Sequence, residues 1–224
     1  MPMPGGWTMS MAWMRMPGQT WAGAAAMFAG MWIAMMVPMM LPSLIPMLRR
    51  YRRSVGAIGG IRGGGLTAIV AAAYFSVWTL CGVAAFFVGA ALADLAMRHT
   101  VVARAVPIAT GAVVLAAGAL QMTAWKARQL ACCRAPSREP ALPADAGTAW
   151  RHGVQLGWQC GRCCANLMAI LLVVGIMDVP AMAMVTAAIT LERLAPAGAR
   201  VARAIGVVTV GLAAVAIAHA AALG

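Results

Sequence analysis

Negative charge is nearly missing from this sequence: 5 Asp and Glu stand against 17 Lys and Arg, and only 10% of the 224 residues are charged. With 63% of its residues hydrophobic, such a chain cannot hide its apolar surface in one soluble core and needs lipid as solvent. A basic excess in a soluble protein would point to nucleic acid, because phosphate neutralisation requires a basic surface. Here the arginines lie between apolar runs, a pattern that orients membrane helices, and no nucleic-acid partner is expected. Alternating strand patterns are also missing, which excludes a membrane barrel. The first twenty residues, MPMPGGWTMSMAWMRMPGQT, lack the basic start and continuous apolar core of a signal peptide. Walker, GxSxG, HExxH, dinucleotide-binding and CxxCH motifs are all absent, which argues against an ordinary hydrolase or an ATP-driven pump. No enzymatic activity is expected.

What is present is a series of apolar runs long enough to cross a hydrocarbon core, which takes roughly 20 residues. They lie at 21–48, 66–93, 105–125, 163–189 and 201–223. In lipid every backbone polar group must be paired within the segment, so the fold is an all-α, polytopic bundle of about five transmembrane helices. Residues 1–20 form a methionine-rich segment ahead of this single domain, and 126–162 a long loop. Arg49, Arg50, Arg52, Arg53 and Arg62 follow the first run, and Lys126, Arg128, Arg134, Arg138, Arg151 and Arg162 the third. The positive-inside rule places both loops in the cytoplasm and the N-terminus outside, and five crossings then leave the C-terminus inside.

Five of the six cysteines gather around the second basic loop: Cys132, Cys133, Cys160, Cys163 and Cys164. A CxxC with a vicinal third thiol can converge on one soft ion, and two more thiols at the far end of the loop could join it. Nearby Arg151 and Arg162 would favour the thiolate, the form that binds metal or attacks disulfides. The 19 methionines are the second soft donor set. Met27, Met31, Met35 and Met39 recur every fourth residue, lining one stripe of a helix, and thioethers suit Cu(I). Unbranched methionine also simply fills gaps between helices. Pro38, Pro42 and Pro46 remove successive backbone bonds from the lower part of that helix and should bend it. Asp178 falls within the fourth apolar run, where a carboxylate is costly and usually functional. Methionines on either side of it favour an ion-binding role.

These residues together resemble the DUF2182 family, bacterial integral membrane proteins described as predicted metal-binding. The resemblance covers nearly all of the chain. It rests on Gly5 to Met14 (GGWTMSMAWM), Met31 to Ser43 (MWIAMMVPMMLPS), Cys133 to Pro136, Gly157 to Met168 with its CxxCC, GIMD at 175–178, and LER at Leu191 to Arg193. Gln129 stands where members often have a further cysteine, with Cys132 as the nearest substitute, and members commonly carry a helix ahead of the GGWTMSM segment. The resemblance implies metal handling in a bacterial inner membrane.

The leading expectation is therefore a membrane protein that binds, and transports or delivers, copper or another soft transition metal. The residues are Cys160, Cys163, Cys164, Cys132, Cys133, Met27, Met31, Met35, Met39 and Asp178, and the partners are the bilayer, the metal ion and a membrane or metallochaperone protein. A membrane thiol oxidoreductase using the CxxCC cluster and a non-catalytic accessory subunit are the alternatives.

Overall fold

A computed structural model describes residues 3, 7–16, 18–55, 60–134 and 143–223. These form a short 3-10 turn, Met11–Trp13, and seven α-helices: α1 (Trp21–Ser54), α2 (Gly60–Arg98), α3 (Thr100–Gln121), α4 (Ala124–Arg134), α5 (Ala146–Val174), α6 (Val179–Leu194) and α7 (Gly198–Leu223). No strand occurs among the described residues. Five helices, α1, α2, α3, α5 and α7, are long and apolar enough to cross a membrane. The protein is a multi-pass helical membrane bundle.

Directions follow from close approaches between helices. A Cβ on Gly153 would lie 2.4 Å from the Val70 carbonyl oxygen, and one on Gly157 3.0 Å from that of Tyr74, so α5 climbs alongside α2 in the same direction. Small residues permit this backbone proximity, and in lipid such packing, rather than the hydrophobic effect, drives association. Gly118 faces Thr209 and Gly111 faces Ile217, so α3 and α7 are antiparallel. Trp7 donates to the Ala103 carbonyl at 2.8 Å, which holds the N-terminal segment at the start of α3. The main core gathers Phe28, Trp32, Met36, Met39, Met40 and Leu44 of α1 around α2 and α5, with contributions from α4, α6 and α7. Trp32 Nε1, donating to the Trp78 carbonyl at 2.9 Å, fixes α1 against α2. Outward-facing Leu80, Phe87, Val88, Leu92, Val207, Val208 and Leu212 are exposed, as suits a lipid solvent.

The fourth apolar run differs most from its expected form. It is not one helix: α5 ends at Val174, Gly175 adopts a φ of +145°, and α6 starts at Val179. Glycine tolerates that backbone conformation. Asp178 then caps α6 by accepting from the Ala181 amide at 2.8 Å, and Pro180 sits in the first turn, where its missing N–H costs nothing. Asp178 is exposed at this turn rather than buried in mid-span. The 16 residues of α6, about 24 Å long at 1.5 Å per residue, run back toward the cysteines. That reversal corrects the placement of the C-terminus: Ile217 lies beside Gly111 at the middle of α3, and α7, antiparallel to α3, continues from there toward the start of α3, the side on which Trp7 holds the N-terminal segment.

The long loop is also largely helical. α4 occupies 124–134, and α5 begins at Ala146, with Asp145 accepting from the Thr148 amide at 2.9 Å. Pro136, Arg138 and Pro140 lie outside the described residues. α1 continues as helix through Pro38, Pro42 and Pro46.

Candidate metal centre

Cys160, Cys163 and Cys164 lie on one face of α5, because residues three and four apart on a helix are neighbours. That face turns into the core, and all three are buried, as is Cys133 on α4. The thiols form a chain of side-chain contacts: Cys133 with Cys163, Cys163 with Cys164, and Cys164 with Cys160. The last two sulfurs are 3.9 Å apart. Two metal–thiolate bonds of roughly 2.3 Å each would span that gap at an open angle between two side chains of the same helix. Cys133 also lies 3.6 Å from the Gln159 carbonyl. Its hydrogen bond with Cys163, together with burial, raises the Cys133 thiol above its usual range despite nearby Arg193. Methionines share this core: Met36, Met39, Met40 and Met168 are buried within it.

Charge is organised around the sulfurs. Arg193 of α6, 6% exposed, donates from Nη1 to Cys160 Sγ at 3.0 Å, and Tyr74 Oη donates to the same sulfur at 2.9 Å. Arg193 Nη2 is buried with no hydrogen-bond partner. One turn of chain away, Lys126 Nζ is 2.8 Å from Glu192 Oε2 and donates to the Cys163 carbonyl at 2.7 Å. Gln121 donates to Glu192 and accepts from Asn166 at 2.5 Å, which closes a buried polar network joining α3, α4, α5 and α6. Every member has a partner, as low-dielectric surroundings require. The network fixes the main chain at Cys163 and, through α6, the position of Arg193.

A family model described as PpoB2, copper chaperone, matches residues 29–216. The chain belongs to that family. No curated protein and no solved structure matches it. Thiolate and thioether are the ligand types that select Cu(I), so the sulfur-lined core fits the cargo of a copper chaperone. Among the described residues no three His, Cys, Asp or Glu side chains are arranged around one ion; Cys160 and Cys164 instead offer a two-sulfur pair.

The structure sorts the sequence-derived residues into three groups. Cys133, Cys160, Cys163, Cys164 and Met39 share the main core. Cys132 is exposed, one residue round α4 from Cys133 and turned away from it. Met27, Met31 and Met35 do not line the site: Met27 is exposed and its sulfur accepts from Gln19 Nε2 at 3.0 Å, while Met31 and Met35 are only half-buried at the core's edge. The buried stripe is instead Phe28, Trp32, Met36 and Met40, one position further along. Asp178 belongs to the α5–α6 turn. Arg151 and Arg162, expected to act on the thiols, are exposed, and Arg193 and Lys126 take that place. The sequence assigns no role to Tyr74 or Gln121, and presents Lys126 only as a loop charge and Glu192 and Arg193 only within the LER motif, although buried ionisable residues in a membrane bundle are functional candidates by default.

Proposed function

We propose that this chaperone holds Cu(I) inside the bundle on the Cys160 and Cys164 sulfurs, with Cys163 and Cys133 packed beside them, receives it by way of the buried Met36, Met39, Met40 and Met168 thioethers, and passes it to a protein partner. The observation that carries the reading is the convergence of four buried thiols from two helices in a core that also contains those methionines. Soft donors screened from water favour a soft ion over the harder, commoner ones. The positive-inside rule applied to the arginine-rich segments supports a cytoplasmic thiol end with the N-terminal methionines outside, and the family resemblance supports a bacterial inner membrane. A thiol oxidoreductase needs a sulfur that an external disulfide can reach, and Cys160, Cys163 and Cys164 are 2% exposed or less.

The test is the copper content of detergent-purified protein after Cu(I) loading under reducing conditions, beside a Cys160, Cys163 and Cys164 triple serine variant. Near-stoichiometric copper in the wild type, lost in the variant, is the expected result. Equal, negligible copper in both removes the cysteines as a copper site.

A further inference from the structure

The buried charges at the thiol end do not cancel. Lys126 and Glu192 neutralise each other at 2.8 Å, with side chains 1% and 2% exposed. Arg193 has no carboxylate partner among the described residues: its one hydrogen bond to a side chain goes to Cys160 Sγ, and its Nη2 has none. Glu192 is the only buried acidic side chain among them. A guanidinium cannot shed its proton, and an uncompensated buried charge is strongly unfavourable, so this pocket is built for one unit of negative charge on the sulfurs.

We infer that Arg193 sets the charge of the ion the thiol pair accepts, matching one singly charged soft cation bound by two thiolates, Cys160 and Cys164. The inference rests on the copper-holding reading above. Counted from neutral thiols, a monovalent ion and two cysteines give a bis-thiolate complex of charge −1 and two released protons. A divalent ion on the same two sulfurs gives a neutral complex and the same two protons. Only the first offsets Arg193. The hydrogen bonds from Arg193 Nη1 and Tyr74 Oη to Cys160 Sγ act in the same sense, since charge-assisted bonds to an anionic sulfur are stronger than those to a neutral one. The 3.9 Å separation of Cys160 and Cys164 supplies the pair. Arg193 is thus a specificity-determining residue that never touches the metal, acting as an outer partner of a ligand.

Competition titrations of the full-length protein in detergent, without oxygen, measure Cu(I) and Zn(II) affinities for wild type, Arg193→Lys and Arg193→Gln. The ratio of Cu(I) to Zn(II) affinity should fall roughly tenfold or more in Arg193→Gln, the scale of removing one member of a buried charge pair. Arg193→Lys should stay near wild type. An unchanged ratio in Arg193→Gln overturns the inference. X-ray absorption on Cu(I)-loaded wild type decides the matter even if a variant fails to fold: two sulfur neighbours are expected, and three or four overturn it. Wild type that binds no copper brings down the copper reading itself, whereas cysteine-dependent copper with an unchanged ratio removes only the role of Arg193.

Discussion

Two ion pairs of equal length mark the two ends of the bundle. Near the N-terminal segment, Arg98 and Asp94 on α2 meet at 2.8 Å with side chains 71% and 54% exposed. At the thiol end, Lys126 and Glu192 meet at the same distance almost wholly buried. The first end is otherwise assembled from aromatic and apolar contacts: Trp13 on Phe28 at 5.3 Å between centroids, Phe28 on Phe86 at 5.2 Å, and Met9 against Ala93 and Ala96. The second adds to its apolar packing a closed polar network and an unbalanced guanidinium. Distance therefore says little about what an ion pair does; the solvent removed from around it decides. Among the described residues buried charge is confined to the end where the thiols are, as expected if it serves the cargo rather than the fold.

The sharpest way to break this comparison is to remove one charge at each end. Glu192→Gln or Lys126→Met leaves an unpaired buried ion and should cost about 3–5 kcal/mol, whereas Asp94→Asn should change stability by roughly 0–1 kcal/mol. Thermal unfolding in a fixed detergent measures both. The Lys126→Met, Glu192→Gln double variant should recover much of the single-variant loss, because neither member of the pair then leaves the other charged and unpaired. Equal small effects at the two ends would mean that water reaches Lys126 and Glu192.

A smaller effect is expected along the seam that leads to the thiols. A side chain at Gly153 would run into the Val70 backbone at 2.4 Å, while one at Gly161 on the same helix meets nothing within 4 Å. Gly153→Val should destabilise by about 1–3 kcal/mol through overpacking and, by wedging α5 from α2, weaken the Tyr74 contact to Cys160. Gly161→Ala should be neutral or stabilising by up to about 1 kcal/mol through helix propensity. Copper retention in the two variants should follow the same order. A Gly153→Val protein with unaltered melting and copper content would place α2 and α5 further apart than described here.

The five crossing helices were legible because a run of some twenty apolar residues has few other uses. The CxxCC face was legible because three- and four-residue spacing on a helix is geometry rather than context. The buried side of α1 was not. Met27 and Met36 sit in equally apolar surroundings, and a helix bathed in lipid on one side and protein on the other has no polar face to reveal its orientation. Lys126 and Glu192 stand far apart in sequence and each reads singly as an interface charge; only the fold brings them to 2.8 Å. The break after Val174 was hidden because glycine and proline are common inside membrane helices and seldom end them.

Asp178 carries the smallest and most discriminating prediction. As an intramembrane ligand its loss would abolish ion binding; as the N-cap of α6 its side chain satisfies the Ala181 amide at an exposed turn, far along α6 from Glu192 and Arg193. Asp178→Ala should then cost about 1 kcal/mol, the usual worth of a cap, and Asp178→Ser, which retains an acceptor, distinctly less. Copper stoichiometry should be unchanged in both, because α6 is held at its other end by Arg193 and by the Glu192 network. Loss of copper in the alanine variant but not in the serine variant would mean that fraying at the turn propagates along α6 to Arg193. Loss in both at unchanged melting temperature would return the carboxylate to the ion's path, and with it make the end opposite the thiols part of the copper route.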